Sequence, residues 1–133
     1  MPSISSPVLF LNYEEAVKAL NLPEDMYVFK ISDDSRSLDC IAQGGQVIYK
    51  VGIGLMKGPS HPAGNQMYYR QRPILCSLEK YGKVPVMRFD KYGTIEYLGM
   101  YTYNDLKIGM SFEGFKYYIF KMHRQPNINR CEI

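Results

Sequence analysis

Apolar and polar positions follow two different periods along this chain. Tyr13, Ala16, Val17 and Leu20 recur at i, i+3, i+4 and i+7, which is one stripe of a helix. Asn12 precedes them as a capping residue, Glu15 follows three residues later to close a capping box, and Pro23 acts as a stop. This predicts a helix over 13–21 with its stripe packed inward. Beyond residue 25 the period falls to two. Residues 26–31 are rich in β-branched and aromatic side chains, and 46–51 alternate polar with apolar as a half-buried strand does. Residues 73–78, 84–89, 94–98, 100–103 and 116–123 read as further strands. Breaks at 80–83, 90–93, 104–109 and 113–114 separate most of them. About seven short strands with one N-terminal helix predict an α+β, mostly β fold, either a barrel or a strongly twisted sheet.

The connection 52–66 stands apart. It holds four glycines and two prolines in fifteen residues, and a loop of that length in a small domain is more often functional than idle.

Composition narrows the class. A chain of 133 residues suits a single domain with one core, and 46% hydrophobic content argues against disorder. No apolar run reaches the roughly 20 residues needed to span a bilayer, and no basic segment precedes an apolar one at the start. Cys40, Cys76 and Cys131 are odd in number and widely spaced, which fits a reducing, intracellular compartment, nucleus or cytoplasm. The net charge is only +3, but its distribution is uneven. Residues 1–42 carry seven acids and three bases, and residues 43–133 carry thirteen bases and six acids. Such asymmetry suits one face meeting an anion.

Catalytic constellations are missing from the pattern. Paired cysteines and HxxxH spacing are absent, so no metal site is expected. The glycine-rich run at 52–58 lacks the lysine-serine/threonine ending of a phosphate loop. Ser32, Ser35, Ser37 and Ser60 have no nucleophile-elbow context. His61 and His123 read as surface or capping residues, and Asp90 with Glu96 is weak evidence for a nuclease. No catalytic residue and no cofactor is expected.

Binding chemistry is better represented. Twelve tyrosines accompany no tryptophan, and Tyr68, Tyr69, Arg70 and Arg72, then Lys80, Tyr81, Lys83 and Arg88, interleave aromatics with bases. Cations neutralise phosphates and aromatic faces stack on exposed bases. Tyrosine also suits half-buried strand positions, so the pattern alone leaves both readings open.

Three segments, in order, resemble the SRA (YDG) domain family. Residues 82–88 (GKVPVMR) look like its glycine-lysine-proline-valine strand, 96–101 (EYLGMY) are similar to its tyrosine-aspartate-glycine signature, and 114–124 (GFKYYIFKMHR) resemble its closing strand. Upstream, 49–54 (YKVGIG) look like the family's tyrosine-threonine-glycine-serine-glycine, and Gly64-Asn65 like the end of the loop that follows. The likeness covers residues 44–124, with Leu98 standing where the signature has aspartate. The resemblance implies a PUA/SRA-like twisted β-barrel that binds double-stranded DNA and holds a methylated cytosine turned out of the stack. It further implies a base pocket of Tyr49, Asp39, Gly44 and Gly45. Asn65, Gln66 and Met67 would form a groove finger, and Arg70, Arg72, Lys83 and Arg88 would engage phosphates. Tyr97, Tyr101, Phe115, Tyr118 and Phe120 are assigned to the core. An RNA-binding PUA-like domain, or a protein-interaction domain that has lost the pocket, are the alternatives.

Overall fold

The computed structural model describes residues 8–32, 39–54, 56 and 64–126. Among them the order is β1 (Val8–Phe10), α1 (Tyr13–Leu20), β2 (Phe29–Ser32), β3 (Cys40–Ala42), β4 (Val47–Val51), α2 (Arg72–Tyr81), β5 (Val84–Phe89), β6 (Ile95–Met110) and β7 (Lys116–Arg124). Short 3-10 turns lie at Gln43–Gly45 and Tyr68–Gln71.

Local chemistry starts and stops α1 where the sequence predicts. The Asn12 side chain accepts from the Glu15 amide at 2.8 Å, meeting a donor the first turn cannot satisfy itself. Asn21 ends the helix in the left-handed region (φ 54°), and the Leu22 amide donates back to Val17 at 3.1 Å. The predicted stripe is only partly inside. Ala16 is fully buried, but Tyr13 remains 37% exposed, with the Lys30 ammonium 4.5 Å from its ring centre.

The strands form one curled sheet in the order β2-β5-β6-β7-β4-β3, with β1 attached to β6. β2 and β5 are parallel, and the other pairings are antiparallel. β6 organises the sheet. Its first part pairs with β5 up to Tyr101, and its second part pairs with β7 from Tyr101 to Met110. A register shift between Val86 and Met87, another between Tyr103 and Asp105, and Gly99 at φ 128° sharpen the twist between them. The result is a half-barrel.

Two expectations are corrected. Residues 94–98, 100–103 and the expected break at 104–109 form a single 16-residue strand. Leu106 and Ile108 alternate with Asp105 and Lys107, so the polar run still satisfies a period of two. Residues 73–78, expected as a strand, lie in α2 instead. Pro73 in the first turn costs no hydrogen bond, and Gly82 (φ 73°) closes the helix with its amide on Leu78 at 2.7 Å. A short apolar run does not by itself distinguish the two states.

The helices cover opposite faces of the sheet. Ile74 and Leu78 of α2 pack with Phe29, Ile31, Ile48, Val84, Val86, Tyr101, Phe120 and Met122. Ala16 of α1 packs with Phe10, Met87 and Ile95. Val86 and Met87 are chain neighbours, and strand alternation sends them to different cores. Of the aromatics assigned to the core, Tyr101, Tyr118 and Phe120 are buried, while Tyr97 and Phe115 are half-buried.

Asn12→Ala should lower unfolding stability by about 1 kcal/mol, and Asn12→Ser should restore most of it. Urea-induced unfolding followed by circular dichroism measures both.

Candidate nucleic-acid interface

Strand alternation in β4 sends Ile48 and Lys50 toward α2, and Val47, Tyr49 and Val51 to the other face. Tyr49 is half-buried, outside both core clusters, with Cys40 and Lys121 as its cross-strand partners. His123, paired with Val47, lies on the same face. An aromatic ring with a lysine directly across the ladder suits an anionic, aromatic ligand.

The other expected pocket residues take different places. Asp39 is not a free acceptor. One carboxylate oxygen accepts from the Val51 amide at 2.8 Å and the other pairs with Lys50 at 2.9 Å. Its side chain is 7% exposed, and a carboxylate that dry needs such partners. Gly44 and Gly45 form the turn at the far end of β4, roughly 13 Å along the strand from Tyr49. They are at φ 64° and 92°, a region in which an added side chain is strained. Gly45 has a structural duty. Its carbonyl accepts the Tyr101 hydroxyl, and a Cβ there would lie 3.5 Å from the Arg124 guanidinium. Arg124 runs along Gly99, where a Cβ would meet its Cδ at 3.1 Å. Space left by two glycines is filled by one tyrosine and one arginine.

The loop 52–66 is described at its two ends, and residues 55 and 57–63 lie outside the described residues. Those ends are held by two buried amides. The Gln66 side chain donates to the Gly52 carbonyl at 2.9 Å and accepts from the Tyr118 amide at 2.8 Å. Gln71, fully buried, accepts from Ile53 at 2.8 Å and donates to the carbonyls of Ile53 at 2.8 Å and Met67 at 3.1 Å. Each glutamine acts as a short extra strand, satisfying backbone groups that no neighbour reaches. Gln66 therefore does not project as a finger, being 2% exposed with both its amide nitrogen and its amide oxygen hydrogen-bonded. Asn65 accepts from the Lys116 amide at 2.7 Å. Met67, 53% exposed, and Asn65, exposed with only its oxygen engaged, are the members of that trio open to a ligand. No local pattern marks Gln71, because its partners are set by chain crossing.

The expected phosphate contacts divide. Arg88 is engaged by Glu96, with nitrogens at 2.9 and 3.2 Å, as a cross-strand pair. Its carboxylate partner makes it a poor phosphate ligand. Arg70 and Arg72 are exposed and Lys83 is half-buried, and none has an ion pair among the described residues. Arg72 borders a hollow of about 320 Å³, lined also by Tyr68, Tyr69, Leu75, Cys76 and Glu79. Among the described residues no group of histidine, cysteine and carboxylate side chains is arranged to hold a metal ion.

This architecture has solved counterparts. The chain is similar to the SUVH5 SRA in complex with hemi methylated CG DNA, with TM-score 0.64 and 20% identity over 95% of this chain and 91% of that one. It is similar to the SUVH5 SRA with methylated CHH DNA at TM-score 0.58 and 22% identity, over 75% and 63% of the two chains. KRYPTONITE in complex with mCHH DNA, H3(1-15) peptide and SAH gives TM-score 0.61 at 15% identity, over 96% of this chain and 33% of that one. The chain thus spans less than two thirds of several of these longer chains. No family model and no curated protein matches the sequence. The fold is that of an SRA (YDG)-like domain.

Two measurements test the packing around the interface. A Cβ at Gly52 would lie 2.5 Å from Gln71 Oε1 and 2.9 Å from Gln66 Oε1. Gly52→Ala should therefore destabilise the fold by about 1–3 kcal/mol, read from the shift in denaturant midpoint. Burial raises the Tyr101 phenol above its ordinary value near 10, with the charges of Arg124 and Arg88 opposing part of the rise. The unfolded chain releases that proton first, so this stability is complete below pH about 10 and is lost as pH climbs through the folded value. Tyr101→Phe should flatten the alkaline decline by one ionising group, measured from midpoints between pH about 9 and 11.

Proposed function

We propose that this chain is a DNA-binding module that recognises a methylated cytosine by holding the base outside the helix stack. The carrying observation is the likeness over 95% of its length to an SRA domain solved on hemi methylated CG DNA. Tyr49 is the proposed stacking platform, with Lys121 beside it to neutralise a phosphate. Met67 is the proposed filler of the vacated position, and Arg70 and Lys83 are the proposed backbone contacts, whereas Arg72 lies on the α2 side of the sheet, away from Tyr49. Turning a base out costs a few kcal/mol, which stacking on the tyrosine and contacts to the base edge offset.

Fluorescence anisotropy with matched duplexes, differing only in one 5-methylcytosine, tests this reading. The methylated duplex should bind more tightly than its unmodified twin, single strand and RNA of the same sequence. Tyr49→Ala should weaken that binding about 5- to 100-fold, as expected for one lost base stack, with unfolding stability nearly unchanged. Equal affinity for every polymer across a salt series would leave only the electrostatic term and defeat the proposal. Preference for RNA would favour the PUA-like alternative.

A further inference from the structure

Tyr49 accounts for one face of the sheet, but a second aromatic cluster lies on the other. Tyr68 rests against Tyr118, ring centres 5.9 Å apart, and Tyr118 belongs to the side of β7 that carries Phe120 and Met122. Tyr68 and Tyr69 are 57% and 63% exposed, which is high for two consecutive aromatics. They form one wall of the 320 Å³ hollow. Arg72, Leu75, Cys76 and Glu79 form the other at i, i+3, i+4 and i+7, so a single stripe of α2 lines it. The opposite stripe, Ile74, Ser77 and Leu78, is buried in the core. Both walls are held rigidly. Gln71 ties the Tyr68–Gln71 turn to Ile53, and the Ser77 hydroxyl accepts from the Tyr27 amide at 2.8 Å.

We propose that this hollow is a second nucleotide site, which takes one unpaired deoxynucleotide of a single-stranded segment. The chemistry of its walls matches that ligand part by part. Tyrosine faces stack on any base. Arg72 supplies positive charge for the phosphate and has no ion pair among the described residues. Glu79, at the far end of the stripe, is an acceptor-only group suited to the exocyclic amine of cytosine. The Lys116 ammonium, 5.9 Å from the Tyr118 ring, adds a further cation behind Tyr68. The proposal rests on the nucleic-acid reading but not on the Tyr49 pocket, because the sheet lies between the two.

Two free, exposed cysteines report on the two sites separately. Cys76 is in the wall of the hollow, and Cys40 sits across the ladder from Tyr49. Oligodeoxycytidylate should slow alkylation of Cys76 in the full chain and leave Cys40 reactive, read by mass spectrometry of the two peptides. A blunt methylated duplex should protect Cys40. In anisotropy titrations Tyr69→Ala should weaken oligodeoxycytidylate binding about 5- to 100-fold. Glu79→Ala should abolish the preference for oligodeoxycytidylate over oligothymidylate. Unchanged Cys76 reactivity, or full affinity in Tyr69→Ala, would overturn the second site. Loss of methyl discrimination with Cys76 still protected would sink the Tyr49 reading and leave this one standing.

Discussion

Gly52 has no side chain, and two glutamine amides occupy the space beside it where a Cβ would lie. At that point β4 leaves the sheet: the Gly52 amide still donates to the Tyr118 carbonyl of β7, but the Gly52 carbonyl and both Ile53 backbone groups take side-chain partners. Gln66 reaches back from the far end of the glycine loop, and Gln71 from the turn ahead of α2. Burying two amides without partners would cost several kcal/mol, whereas here every described buried side-chain polar atom has one. The contact thus joins the sheet, both ends of the loop and the second helix. The placement of Tyr68, Tyr69, Arg70 and Arg72 follows from it.

A second constraint is the path of β6. A strand of 16 residues pairs with β5 at one end and β7 at the other, and it must twist between them. Gly99 tolerates the backbone conformation this demands, and Arg124 fills the space its missing side chain leaves. The same arginine and Tyr101 reach the β3–β4 turn at Gly45. Curvature of the sheet and geometry of that turn are therefore one problem with one packed solution.

Charge is distributed with similar economy. Asp39 with Lys50 and Arg88 with Glu96 bind strands to one another, so their charges are engaged within the protein. Arg70 and Arg72 carry no such partner among the described residues and stand beside exposed tyrosines. Internal pairing, more than net charge, separates cations that stabilise the sheet from cations open to an anion.

Local patterns determined much of this protein. The cap at Asn12, the strand-forming residue types of 46–51 and 84–89, and the break at 90–93, where the Asp90 carboxylate accepts from the Tyr92 and Thr94 amides, are set within a few residues. The order of the SRA-like segments was legible for the same reason. Helix α2 was not, because Pro73, Ile74, Leu75 and Leu78 satisfy a buried strand as readily as a helix, and packing against β5 and β7 chose between them. Nor could composition tell that Gln66 is an anchor, Asp39 a clasp and Arg88 a strand tie. Each of those roles depends on a partner distant in sequence or set by strand register, and only the folded chain brings such groups within hydrogen-bonding distance.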